Sequence, residues 1–274
     1  MRTRNSVEYS AQSPTSFYKF SYPKHLLIMN QPFKFKQFTV EQDRCAMKIG
    51  TDGVLLGAWV SLKKNPFAIL DIGAGTGILS LQLAQRSNAE MIDALEIDGE
   101  DYEQCVDNFE NSPWGDRLFC YHASLEEFVE EIDDKYDLII SNPPFYSPPI
   151  FSADASKEEN DISESRKLAR FNNSLPFDEL IDSVSRLLSD EGIFAVIIPK
   201  QEEKSFVSMA AEVNLFPNRI CRVRGTNSSE EKRSMMEFTF EKTTPIIENL
   251  VIEISRHNYT EEYKSLVEDF YLKM

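Results

Sequence analysis

Residues 67–87 read FAILDIGAGTGILSLQLAQRS, and the order of events inside them decides the fold. FAILDI (67–72) is an apolar run of strand length, and GILSLQLAQRS (77–87) has the spacing of a helix. Between them, glycines at 73, 75 and 77 permit a tight turn and a close backbone approach to a ligand. A dinucleotide-binding turn has the form G-x-G-x-x-G, but counting from Gly73 the sixth position is Ile78. The pattern is GxGxG, preceded on the strand by an acid, Asp71, which would repel a pyrophosphate and suits a cationic or amine-bearing ligand. Glu96 lies 23 residues after Gly73, at the end of the next apolar run, where a carboxylate can accept both hydroxyl protons of a ribose.

Outward from this unit the alternation continues. MIDALEI (91–97), RLFCYH (117–122), YDLIIS (136–141) and GIFAVIIP (192–199) read as strands. Helical patterns occupy 98–112, 124–131, 176–189 and 201–213. Nearly continuous apolar strands separated by helices imply a parallel sheet covered on both faces. NRICRVRG (218–225) and SMMEFTFEK (234–242) follow each other without a helix and predict an antiparallel pair at the sheet edge. LVIEI (250–254) adds a strand, and 259–274 a closing helix.

The strand YDLIIS ends in SNPPF (141–145). Two prolines cannot sit inside a helix or a central strand, because each lacks an N–H and fixes φ. A polar amide, two rigid residues and an aromatic ring therefore stand at the carboxyl edge of a strand, where open α/β sheets bind ligands. The connection that follows, 146–172, is rich in Ser, Pro and acids and longer than ordinary loops, which predicts a lid over the site.

Composition bounds the rest. The 274 residues, 42% hydrophobic and 27% charged, suit one large domain with a substantial core. No apolar run reaches the roughly 18 residues of a membrane helix, and the first residues are polar, so a cytoplasmic location is expected. Cys45, Cys105, Cys120 and Cys221, like His25, His122 and His257, are too dispersed for a metal site or a disulfide framework. The net charge of −16 is uneven, because residues 1–48 carry eight Lys/Arg against three acids and the remainder −21. Residues 1–28 lack periodicity and read as a disordered extension, with the ordered domain at 29–274. Lys34, Lys36, Arg44 and Lys48 with Phe33, Phe35 and Phe38 form a basic stretch interleaved with aromatics, suited to RNA. Arg166, Lys167 and Arg170 lie in the expected lid, and Arg219, Arg222, Arg224, Lys232 and Arg233 on the late strands and their turn.

DIGAGTG, ALEID and SNPPF, in this order and spacing, resemble the motifs of amino-methylating S-adenosylmethionine-dependent methyltransferases. FKQFTVEQDRCAMKIGTDGVLLGAW (35–59), SPW (112–114), YDLIISNPPFY and the closing FYLKM resemble more narrowly the bacterial tRNA(Val) adenine-N6 methyltransferases, over roughly residues 33–274. The resemblance implies a Rossmann-like methyltransferase fold, with a mostly parallel seven-stranded sheet and an antiparallel edge strand. It implies S-adenosylmethionine as cofactor and a tRNA anticodon stem-loop as partner, with adenine 37 of tRNA(Val) the target of a monomeric enzyme without metal. By that resemblance Asp71, Gly73, Gly75 and Gly77 line the methionine end of the cofactor, Glu96 holds its ribose, and Thr51 and Asp52 close over the methionine. The family carries an acid near position 124 for the cofactor's adenine, where this chain has Ser124, so that contact falls to the hydroxyl or to Glu126 or Glu127. A protein glutamine methyltransferase acting on release factors uses a similar NPP-aromatic motif, but usually behind a helical amino-terminal domain. A guanine-N2 methyltransferase is a further alternative.

The chemistry asks for such a clamp. An exocyclic adenine amino group is a poor nucleophile, because its lone pair is delocalised into the ring. The side-chain oxygen of Asn142 and the backbone carbonyl of Pro143 would accept its two hydrogens, held rigidly so that little reorganisation remains. Phe145 would offer a face for an extruded base.

Overall fold

The computed structural model describes residues 31–144 and 175–274. The expected extension at 1–28, the expected lid at 146–172, Phe145 and Arg170 lie outside the described residues. The described chain opens with a minimal antiparallel ribbon, β1 (Phe33–Lys34) and β2 (Thr39–Val40), followed by helix α1 (Thr51–Trp59). Then β3 (Ala68–Ile72), α2 (Ile78–Arg86), β4 (Met91–Glu96), α3 (Gly99–Glu110), β5 (Leu118–His122), α4 (Leu125–Glu131) and β6 (Tyr136–Ser141) alternate as the apolar pattern predicts. After the gap come α5 (Phe177–Leu187), β7 (Leu188–Pro199), α6 (Glu203–Glu212), β8 (Phe216–Thr226) and β9 (Glu231–Thr239). β10 (Ile246–Ser255), β11 (Asn258–Tyr259) and α7 (Glu261–Val267) complete it.

The main sheet runs β11-β10-β8-β9-β7-β6-β3-β4-β5. Its centre, β5 to β7, is parallel throughout. Every residue of β3 is buried, which explains a run of apolar residues rather than an alternating one. Alternate residues still serve opposite faces. Ile69 packs in one core with α1, α2, α3 and α7, while Ala68, Leu70 and Ile72 join the other with α4, α5 and α6.

Two expectations are corrected here. The sheet has nine strands among the described residues rather than seven, because β10 and β11 extend it. The antiparallel pair predicted at the edge, β8 with β9, also lies inside the sheet, since β9 sits between β7 and β8 and β10 pairs with β8 in parallel; the antiparallel edge strand is β11. The closing helix is shorter than 259–274. After α7 the chain turns back, Phe270 is buried, and Tyr271 bridges Phe35. That return explains the aromatic run near the start. Phe35 and Phe38 are core residues that stack on each other at 4.7 Å, with Tyr271 and Trp114 beside them, so neither is a free platform for a base.

The chain leaves β3 in one direction to β4 and β5, then returns to β6 on the other side of β3. Strand order therefore reverses between β3 and β6, the place where open α/β sheets form a ligand crevice beyond their carboxyl ends. The Ser141 hydroxyl donates to the Ile72 carbonyl at 2.8 Å, tying the ends of the two strands together at that point.

Candidate active site

The glycine turn follows β3. Gly73, Gly75 and Gly77 all have positive φ (73°, 54° and 77°), a region that L side chains rarely adopt. Its N–H groups are directed inward. Gly73 and Ala74 donate to the Leu95 carbonyl, Gly75 to the Glu96 carboxylate at 2.7 Å, and Gly77 to the Ala74 carbonyl. A phosphate would find few donors here, so the turn supplies room rather than an anion nest. The three glycines do not do the same work. A Cβ on Gly73 or Gly75 would meet nothing within 4 Å, whereas one on Gly77 would come within 2.5 Å of Phe109 Cε1 and 2.9 Å of Cys105 Sγ. Gly77 is needed so that α2 can pack on α3.

Two carboxylates flank this space. Asp71 is fully buried, and its Oδ2 accepts from the Ser80 N–H at 3.1 Å and the Ser80 hydroxyl at 2.8 Å. Its Oδ1 has no hydrogen-bond partner. Burial pushes this carboxyl up to about 7 despite the two Ser80 bonds. A positive charge nearby would favour the ionised form of such a group, so the acid suits a cationic ligand. Because the atom is covered, the carboxylate acts on a ligand through its field. Glu96, also buried, holds Gly75 N–H with Oε2 and Asp98 N–H with Oε1 at 2.9 Å; desolvation raises its pKa too. Each oxygen keeps a second lone pair for a hydroxyl. These residues fit a nucleoside carrying a positive charge, as S-adenosylmethionine does.

Asn142 stands half-buried at the end of β6. A Cβ built on Gly53 would lie 3.8 Å from Asn142 Nδ2 and 3.4 Å from Ile78 Cγ2. The first turn of α1, the start of α2 and the Asn-Pro-Pro turn thus converge at the reversal point. Thr51 is exposed there, and Asp52 is ion-paired with Arg233 of β9 at 2.7 Å.

Sequence reasoning missed what holds α1 in place. Along α3, Asp101, Gln104 and Asn108 share one face and accept the backbone N–H groups of Ala46, Arg44 and Glu41. Asn108 also donates to the carbonyls of Glu41 and Thr76, both at 2.9 Å, so one buried amide joins the arm before α1 to the glycine turn. The signal was a polar stripe at i, i+3 and i+7 on a helix whose remaining inner residues are apolar. Ile97, directly after Glu96, was missed as well. It is 53% exposed, an apolar surface at the carboxyl edge beside the Glu96 carboxylate.

Other expected residues have structural partners. The Ser124 hydroxyl caps α4 in a capping box with Glu127, donating to its carboxylate and accepting its N–H. Arg44 is paired with Asp107 and Glu103, Lys48 donates to the carbonyls of Gln42 and Cys45, and Lys36 donates to the Glu268 carbonyl at 2.5 Å. Arg219, Arg222 and Arg224 are paired with Glu237 and Glu248, with Glu203, and with Glu231. Lys34 is exposed. Among the described residues no group of three His, Cys, Asp or Glu side chains could hold a metal ion, and no helix is long and apolar enough to cross a membrane.

Residues 54–158 match the Methyltransferase small domain family. A protein of Christiangramia forsetii named tRNA1(Val) (adenine(37)-N6)-methyltransferase is 60% identical over 90% of this chain and 100% of its own length. A Bacteroides fragilis protein of the same name is 43% identical over 90% of this chain and its own full length. Among solved structures, a predicted O-methyltransferase of Agrobacterium tumefaciens superposes with a TM-score of 0.60. It is 17% identical and covers 80% of this chain and 96% of its own, a likeness of fold.

Proposed function

Since the chain belongs to the tRNA1(Val) (adenine(37)-N6)-methyltransferase family, we propose that it methylates N6 of adenine 37 in the anticodon loop of tRNA(Val), using S-adenosylmethionine. When bound, this cofactor supplies an electrophilic methyl group on a positively charged sulfur. Asp71, Gly73 and Gly75 hold its methionine end with Thr51 and Asp52. Gly77 shapes the turn from behind. Glu96 accepts the ribose hydroxyls and Ile97 covers the adenine, whose amino group meets the Ser124–Glu127 corner.

Asn142 and Pro143 act on the substrate. The Asn142 side-chain oxygen and the Pro143 carbonyl accept the two N6 hydrogens, which turns the nitrogen lone pair out of the ring plane. Ser141, fixed to Ile72, and two consecutive prolines keep both acceptors still. Phe145 stacks on the extruded adenine. N6 loses its proton to water after methylation, so no strong base is required. Lys34, Lys36, Arg44, Lys48 and Arg170 contribute to the field that attracts the RNA, with exposed Lys34 in direct contact. The enzyme works as a monomer in the cytoplasm, where its tRNA is.

The observation that carries this reading is the partnerless buried oxygen of Asp71 under an open glycine turn, on the strand next to the one that ends at Asn142. Purified protein with methyl-labelled cofactor and total tRNA, digested to nucleosides, should yield labelled N6-methyladenosine. Label in protein, or in N2-methylguanosine, would refute the proposal. Asn142→Ala should lower kcat by about 100-fold or more, in the range for loss of an oriented hydrogen-bonding group, with cofactor affinity retained. Equal loss of both would mean that the amide binds rather than catalyses.

A further inference from the structure

The carboxyl edge of the sheet bears a second recess, an open cleft of about 500 Å³, which shares only Thr51 with the proposed methyl-transfer site. It forms where β1, the start of α1, the end of β10, β11 and the last residues of the chain meet. Strand directions place it on the catalytic edge. β10 is parallel to β8, and both run with β7, β6 and β3, so Ile252 and Glu253 end on the same side as Asn142. Thr51 lines the cleft, and Gly53, which faces Asn142, is two residues on along α1, about 200° round the helix, so the cleft and the Asn142 turn flank the same helical turn.

The lining has a definite chemistry. Phe33, Tyr259 and Tyr271 are half-buried, so each leaves part of its ring uncovered. Their backs are braced: Phe33 lies 4.7 Å from Phe35, Tyr271 5.9 Å from Phe35, and Tyr259 5.2 Å from Tyr263. Lys34 and Lys273 are exposed at the cleft and make no ion pair among the described residues, whereas Arg44, Arg219, Arg222 and Arg224 are all paired. In a chain of net charge −16, two ammonium groups without an ion pair thus stand beside braced aromatic faces. The volume falls in the range of ligand sites, and rings with cations are the makeup of single-strand nucleic-acid grooves.

We infer that this cleft binds an unpaired nucleotide of the RNA substrate next to the adenine that is methylated. Its base lies against Phe33 and Tyr259, and its phosphate faces Lys34 and Lys273. Glu253, the one carboxylate side chain in the lining, accepts from an amino group on that base and so favours adenine, cytosine or guanine over uracil. This inference rests on the proposed RNA substrate and deepens it: the pocket at Asn142 reads one base, and the cleft reads a neighbour.

The test uses full-length protein and tRNA in steady-state methylation across a salt series. Lys34→Ala with Lys273→Ala should raise KM for tRNA about tenfold and flatten log KM against log salt by about 1.4, near 0.7 for each single-strand phosphate contact. Cofactor affinity and thermal midpoint should stay unchanged, and Lys34→Arg with Lys273→Arg should restore the slope. Tyr259→Leu should raise KM without altering the slope, and 5-iodocytidine beside the target adenine should photocrosslink to Phe33 or Tyr259. If the wild type methylates tRNA while the variants keep its KM and slope, the cleft inference is overturned and the proposed function stands. If the wild type transfers methyl to no tRNA, the proposed function fails and takes this inference with it. Crosslinks of the cleft to residues 1–30 that added tRNA does not displace would also overturn it, by giving the chain's own segment as occupant.

Discussion

Asp71→Asn separates stability from function at the centre of the site. Burial raises the Asp71 carboxyl from an ordinary 3.8 to about 7. The folded state therefore holds a proton between pH 4 and 7 that the unfolded state has released. Stability must fall as pH rises through that window, because the unfolded state binds fewer protons there. Each tenfold change in proton affinity is worth about 1.4 kcal/mol, so the whole interval costs on the order of 4 kcal/mol, and about 3 kcal/mol of it lies between pH 5 and 8. Asparagine keeps an oxygen for Ser80 but leaves a buried N–H₂ without a partner, an opposing cost of about 1–3 kcal/mol that does not vary with pH. Urea unfolding of both proteins at pH 5, 6, 7 and 8 should show the variant gaining about 3 kcal/mol on the wild type across the series. Cofactor binding should move the other way. A cation about 6 Å from a carboxylate, at an effective dielectric near 20, gains about 3 kcal/mol, so the variant should bind S-adenosylmethionine about 100-fold more weakly at pH 8. Wild-type affinity should rise with pH through about 7, because the cation favours the ionised acid, and variant affinity should be flat. Parallel stability curves, or equal affinities at pH 8, would refute the account of Asp71 as a buried charge waiting for a cation.

The glycines of the turn should divide. Gly77→Ala should lower stability by about 2–4 kcal/mol, from overpacking on Phe109 plus a left-handed backbone, as read by denaturant midpoint. Gly73→Ala should cost only about 1–2 kcal/mol of backbone strain yet weaken cofactor binding in calorimetry, because its Cβ meets no protein atom within 4 Å and enters the space proposed for the cofactor. Asn108→Ala, which cuts the tie between Glu41 and Thr76, should cost about 2–3 kcal/mol and raise KM for the cofactor while kcat changes little; a kcat loss at constant KM would contradict a purely positioning role.

Local sequence determined a large share of this molecule. YDLIIS forms β6 over the very residues predicted, 136–141, because a buried strand is a short continuous apolar run and Asn-Pro-Pro cannot prolong it. The glycine turn was legible because positive φ at 73, 75 and 77 excludes almost every other residue. Short-range rules also suffice to put Asp71 and Glu96 at the ends of neighbouring strands. Tertiary structure decided whatever depends on register between distant segments. Arg219, Arg222 and Arg224 look like free basic groups along the chain, yet the pairing of β8 with β9 and β10 sets them beside acids. Asp52 and Arg233 meet across 181 residues. Phe35 is covered by the returning end of the chain, and Phe38 by Phe35 and Trp114. A dihedral preference or an apolar run acts within a few residues, and a pattern can report it. An ion pair, or a cleft between the two ends of a chain, exists only once the sheet has fixed which strands are neighbours.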